Sequence, residues 1–149
     1  MTEYKHFLAE LKVTYEKKDN VRKVKIGNST EVATYFKQIW PEDINYKECF
    51  MVLYLNRANN TIGYSVISKG GVSSTIADVR IIMQEALLCN ASAIILAHNH
   101  PSGNMKASQS DIQLTNKINE ACKIMEISLL DHLILSELEF YSFTDEGIL

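Results

Sequence analysis

Four side chains in one short stretch have the types and spacing to do chemistry together: His98, His100, Ser108 and Asp111. The two histidines flank Asn99 and follow directly on an apolar run, residues 93–97. In extended backbone, residues two apart point to the same face. Two imidazoles on one face can converge on a single ion. Pro101 then turns the chain, and Ser108 and Asp111 come next. On a helix starting at Ser108, residues three apart share a face, so both can look back at the histidines. Two neutral imidazoles and a carboxylate form a three-ligand set with a fourth position open to water. That is the coordination of a catalytic zinc, whereas a structural zinc is closed by four protein ligands. Each half also has a plainer reading. A histidine pair two apart often binds nothing. Ser-x-x-Asp is also a capping arrangement, in which the Ser oxygen takes a backbone N–H and the acid complements the helix dipole. The conjunction of the halves at this spacing is what points to Zn2+.

The elements that must hold these residues can be read from periodicity. Residues 11–15 alternate apolar and polar and predict a half-buried strand, and 21–26 predict a second. Ser29 or Thr30 is the expected cap of a helix running to Trp40, which Pro41 ends. Residues 48–55 predict a buried strand, Asn59-Asn60 a turn, and 61–68 its hairpin partner. Lys69-Gly70-Gly71 breaks the pattern. Thr75 or Asp78 starts a helix through about Asn90. Residues 91–97 predict a buried strand, 98–106 a loop, and 108–125 a long helix with Ile112, Ile118, Ala121 and Met125 on its apolar side. Residues 129–135 and 139–143 predict closing strands. Strands and helices are mixed along the chain. The fold class is therefore α/β or α+β, a central mixed β-sheet flanked by helices.

Length and composition narrow the classes. The chain has 149 residues and is 46% apolar, enough for one domain with a core that needs no staples. No apolar run approaches the roughly 20 residues needed to span a bilayer. The N-terminus lacks the apolar segment of a signal peptide, so the expectation is a cytoplasmic protein without a membrane partner. Cys49, Cys89 and Cys122 are widely spaced, form no C-x-x-C pair, and read as reduced core cysteines. The net charge of -3 argues against tight nucleic-acid binding, which rests on a basic footprint. The one basic stretch, Lys12 to Lys25, is either a solvated edge or a minor phosphate contact.

The residues also carry a resemblance. His98-Asn99-His100-Pro101-x6-Ser108-x2-Asp111 is similar to the H-x-H-P-x6-S-x2-D signature of the JAB/MPN metalloproteases, often called JAMM domains. The words around it, Ile94 to Gly103, Ser108-Gln109-Ser110-Asp111 and Leu129-Leu130-Asp131-His132-Leu133-Ile134, resemble the RadC-like branch found in bacteria. The resemblance covers roughly residues 30–149, a JAB/MPN domain with a cytidine-deaminase-like arrangement. Residues 1–29 are left as an N-terminal extension, partly strand, packed on or flanking that domain.

The resemblance implies zinc held by His98, His100 and Asp111, amide-bond hydrolysis by an activated water, and an upstream acid at the start of a strand. Glu48 matches that place and would be the general base, with Glu85 the main rival. It further implies that Ser108 donates a hydrogen bond to the oxyanion. Asn99 stands where many JAMM enzymes have Ser or Thr and points away from the histidines, which suggests a supporting role. Asp131 and His132 read as supporting residues too, because three ligands already suffice. The substrate, an unknown peptide or protein, is not named by any of this. The short linkers leave no room for the insertions that ubiquitin-cleaving relatives use. Two other readings stand beside the hydrolase: a DNA-repair-associated protein, the role behind the RadC name, and a non-catalytic MPN scaffold. The first lacks the helix-hairpin-helix region of longer RadC-like chains, since Gly27 is the only glycine before residue 63. The intact ligand set speaks against the second. A contiguous His-Asn-His is not the dispersed signature of the HNH nucleases. The H-x-E and P-C-x-x-C pieces of zinc deaminases are absent.

Overall fold

The computed structural model describes residues 9, 14, 16, 22–70 and 77–149. The expected strand at 11–15, most of the basic stretch, and Thr75 lie outside the described residues.

The elements run α1 (Ser29–Ile39), β1 (Cys49–Leu55), β2 (Thr61–Lys69), α2 (Val79–Leu88), β3 (Ala93–Asn99), α3 (Gln109–Ile124), β4 (Ser128–Leu135) and β5 (Phe140–Ser142). They build one five-stranded sheet in the order β2-β1-β3-β4-β5. The β3–β4 pair is parallel, with α3 as its crossover, and the other pairs are antiparallel. The sheet is thus mixed and helix-flanked, as the pattern of elements required.

Every residue of β1 and β3 is buried, because helices cover both faces, and their sequences are correspondingly continuous apolar runs. Met51, Leu53, Ile95 and Ala97 pack with Val32, Ala33 and Phe36 of α1. Phe50, Val52, Ile94 and Leu96 pack with Ile82 and Ala86 of α2 and Ile118 and Cys122 of α3. A fully buried Leu or Ile contributes about 1.5–3 kcal/mol, so these two layers hold the strands rigidly under any site at their ends. Both α2 and α3 end with a left-handed residue, Asn90 and Glu126. Ala91 and Ile127 each donate back into the last helical turn, to Ala86 and Cys122, so orphan carbonyls are satisfied.

Several boundaries differ from expectation. The cap of α1 is Asn28, whose side chain accepts from the Glu31 N–H, and neither Ser29 nor Thr30. Ser29 instead donates to Asp145. Among the described residues 22–26 of the strand expected over 21–26, the pairing is one bridge, Lys25 with Asn60, although Val24 and Ile26 do pack against the α1 layer. Asp78 caps α2. The third strand starts later than expected and continues through Asn99, so His98 and Asn99 belong to the sheet and not to a loop. The ladders to β1 and β4 extend that far, pairing Phe50 with His98 and Asn99 with Leu135.

Candidate metal centre

The site lies where the C-terminal end of β3 meets the N-terminus of α3. His98 is buried and His100 is half-buried just beyond the strand. Their Nε2 atoms are 3.0 Å apart. Asp111, in the first turn of α3, brings Oδ1 to 3.2 Å from His98 Nε2 and Oδ2 to 3.5 Å from His100 Nε2. Glu48 approaches from the residue before β1. Its carboxylate and the two imidazoles form a group that could hold a metal ion, with one ligand atom of each lying within 4.8 Å of the others. A tetrahedral ion with bonds of about 2.0–2.1 Å sets its ligand atoms roughly 3.3 Å apart. The His98, His100 and Asp111 distances fit that spacing. The Asp111 and Glu48 carboxylates thus both lie beside the histidine pair, and either could complete a three-ligand group.

Hydrogen bonds decide which imidazole nitrogens are bare. The Asn104 carbonyl, 2.5 Å from His100 Nδ1, can only accept, so His100 carries its proton on Nδ1. The Thr115 hydroxyl donates its single hydrogen to the Asp111 carbonyl at 2.6 Å. Toward His132 Nδ1, also at 2.6 Å, it can only accept. His132 is fully buried, and that burial, with the neighbouring His98, holds it well below its usual pKa and hence neutral. Its Nε2 is then a bare acceptor for the Nδ1–H of His98, 2.8 Å away. His98 and His100 thus turn unprotonated Nε2 lone pairs toward each other and toward a carboxylate. Such an arrangement repels itself until a positive charge sits among the three, and this chemistry fits a metal cation. Without one, a proton serves. The Asp111 hydrogen bond raises the His100 pKa against the opposing effect of burial. Burial pushes the Asp111 carboxyl up, but its contacts with the His100 and His98 imidazoles and with Ser108 outweigh it and hold it below the carboxylate range.

The rings are also fixed by packing. Phe50 stacks on His98 with centroids 6.0 Å apart, and Phe143 stacks on His132 at 4.7 Å.

The remaining expected residues fall into place individually. Ser108 forms a full capping box: its Oγ accepts from the Asp111 N–H at 3.1 Å, and its own N–H donates to Asp111 Oδ2 at 2.8 Å. The box also directs the Asp111 carboxylate, so capping is compatible with its place beside the two histidines. Ser108 is exposed, and its Oγ lies 3.0 Å from that of Ser110. Asn99 faces away from the histidines and binds the first residue of β1, Cys49, and the segment before it. His132 contacts His98 directly, but Asp131 does not join it. Successive strand residues alternate in direction, and the Asp131 carboxylate accepts from Ser142 Oγ at 2.6 Å and Thr144 N at 3.1 Å. Glu85 is held by the Tyr54 hydroxyl at 2.6 Å. Tyr54 pairs with Ile94, four residues before His98 on β3, or about 13 Å along the strand. Sequence reasoning missed Thr115. A polar residue at a buried position of the α3 face that also buries Ile118 and Cys122 was the available signal.

Cys49, Cys89 and Cys122 are free thiols. Among the described residues, no helix is long and apolar enough to cross a membrane.

Comparison with known proteins places the chain in a family. Residues 26–148 match the family model of the RadC-like JAB domain. A UPF0758 protein of Flavobacterium johnsoniae is 43% identical over 130 residues, covering 87% of this chain and 56% of the relative. One from Porphyromonas gingivalis is 48% identical over 104 residues, 69% of this chain and 46% of the relative. The UPF0758 protein YfjY of Escherichia coli is 42% identical over 103 residues, 69% of this chain and 64% of the relative. The chain thus spans about half the length of several of the curated relatives it matches. With the match spanning both layers of the core and every residue of the site, the chain belongs to the RadC-like JAB domain family.

Proposed function

We propose that this domain is a zinc-dependent hydrolase of amide bonds, peptide or isopeptide. The observation that carries the reading is the convergence of two bare imidazole nitrogens 3.0 Å apart on the Asp111 carboxylate, with the Glu48 carboxylate beside them. His98, His100 and Asp111 would hold the ion. Bound zinc supplies Lewis acidity, lowering the pKa of a water toward about 7.

The rest is the work of the chain's own groups. Asp111 is the only anion among the three ligands and offsets the ion's charge. Glu48, flanking the open position, takes a proton from the attacking water and returns it to the leaving amine. Ser108 Oγ accepts from the cap, and with the Ser110 hydroxyl as donor in their 3.0 Å contact the Ser108 O–H donates toward the oxyanion that develops as water adds to the carbonyl. The half-buried setting of Glu48, His100 and Asp111 keeps the site open to a chain threaded past it while limiting competing water.

Two measurements test this. Crystals grown with excess zinc at mildly alkaline pH should give an anomalous peak at the zinc edge between His98, His100 and Asp111, and no peak there overturns the ligand set. The zinc-loaded protein should cleave members of a peptide library, with Glu48→Gln keeping zinc and losing turnover. A Glu48→Gln protein that turns over at the parent rate removes Glu48 from the role.

A further inference from the structure

Asn99 makes three short hydrogen bonds from a fully buried side chain. Its Oδ1 accepts from the Cys49 N–H at 2.7 Å, and its Nδ2 donates to the carbonyls of Ile44 at 2.7 Å and Lys47 at 2.8 Å. The Lys47 carbonyl lies in the peptide plane before Glu48, and the Cys49 N–H lies in the plane after it. One side chain therefore holds both peptide planes that flank the Glu48 Cα. With both planes held, φ and ψ of Glu48 have little freedom, and the direction in which its side chain leaves the backbone is set. On the far side, the Glu48 carbonyl accepts from Gly70 N–H at 2.8 Å.

We infer that Asn99 is a positioning residue for Glu48, acting through the backbone of residues 44–49. The inference rests on the reading of Glu48 as the general base. The alternation of β3 then gives three consecutive residues complementary roles. His98 and His100 face the ion, while Asn99 faces the opposite way and holds the base at a fixed distance from it. The chemistry demands an amide. Two carbonyls must be donated to and one N–H accepted from. Aspartate of the same shape has no donor and would set a buried charge against two carbonyl oxygens. Serine has one donor and a shorter reach. A misplacement of about 1 Å at a reacting group can cost on the order of 10²-fold in rate.

The unaltered protein provides the first test. Both side-chain amide protons of Asn99 should be protected from solvent exchange in an NMR experiment, as exposed asparagines are not; free exchange overturns the inference. In Asn99→Ser, exchange at the Cys49 amide should rise at least about tenfold, while the amides of Ile95, Leu96 and Ile118 keep their rates. Zinc affinity should stay within about threefold, because the ligands sit on the other face. A loss of zinc affinity beyond about tenfold would mean that Asn99 serves the strand as a whole, which overturns a role specific to Glu48. Turnover of a peptide found by the library completes the test. Asn99→Ser should slow it by about 10–10² in the parent and add nothing in a Glu48→Gln background, whereas additive losses contradict the inference. These outcomes are separate from failure of the base assignment, which would show as parent-rate turnover by Glu48→Gln while Asn99 stays protected.

Discussion

Thr115 offers the sharpest perturbation of the metal centre, because it touches no ligand nitrogen yet decides which nitrogens are bare. Replacing it with valine keeps shape and removes the acceptor that takes the Nδ1–H of His132. His132 is fully buried, so one of two costs follows. If His132 keeps its proton on Nδ1, a buried donor loses its partner, worth about 1–3 kcal/mol of stability, or roughly 2–12 °C in Tm for a domain of this size. If the proton moves to Nε2, it meets His98 Nδ1 across the 2.8 Å contact. His98 must then carry its own proton on Nε2, the atom the ion needs, and zinc affinity falls by about 10–100-fold. The Asp111 carbonyl loses little, since it also receives the helical N–H four residues on. Thr115→Ser retains the hydroxyl and should restore parent zinc affinity. Competition of the purified variants against a chromogenic zinc chelator, with thermal melts of the chelator-treated and zinc-loaded forms, separates the two costs. A Thr115→Val protein with parent Tm and zinc affinity within about threefold of parent would refute the proton assignment along the whole line from Thr115 to His98.

Asp111→Asn should lower zinc affinity strongly and also loosen the start of α3, because the capping-box acceptor for the Ser108 N–H is weakened; isothermal titration and amide exchange in the first turn check both. The pH dependence has a definite sign. The His100 pKa is raised above 6.5, chiefly by its hydrogen bond to Asp111, so in chelator-treated protein the charged pair stabilises fully below 6.5 and the contribution is lost as pH rises through the raised value. Zinc must displace that proton, so its affinity rises over the same window; melts and zinc titrations between about pH 5.5 and 8.5 should cross in opposite directions. Glu85→Gln should leave zinc affinity unchanged and cost about 1 kcal/mol through its bond to Tyr54, as read by denaturant melts. Duplex DNA should bind weakly, with a Kd above about 1 µM at roughly 150 mM salt, because the chain carries a net charge of -3; tighter binding in a fluorescence titration would favour the nucleic-acid reading.

What could be read without coordinates was local. The buried strands showed as apolar runs, the turn at Asn59 as an asparagine pair, and the two histidines as same-face neighbours in extended chain. The Ser108–Asp111 box spans three residues and depends only on helix geometry. Boundaries were less legible, because the competing choices differ by little locally. Asn28, Ser29 and Thr30 are all adequate caps, and Asn28 is the one that accepts from Glu31. The extension of β3 through Asn99 depends on ladder partners at Phe50 and Leu135.

What the tertiary structure decided is how the site is held. The sequence by itself determined a same-face histidine pair and a capping acid at a spacing suited to a metal. It could not say that His132 points at His98 and Asp131 does not, since both readings of the strand register are open until the sheet forms. It could not connect Thr115 to His132, 17 positions on, or Asn99 to Ile44, Lys47 and Cys49, 50 to 55 positions back. A ligand set can be local because neighbouring residues of a strand or helix turn share a face. The partners that fix proton positions and aim the base must approach from other elements, because a backbone that has turned two imidazoles toward the ion has no neighbouring side chain left to reach behind them.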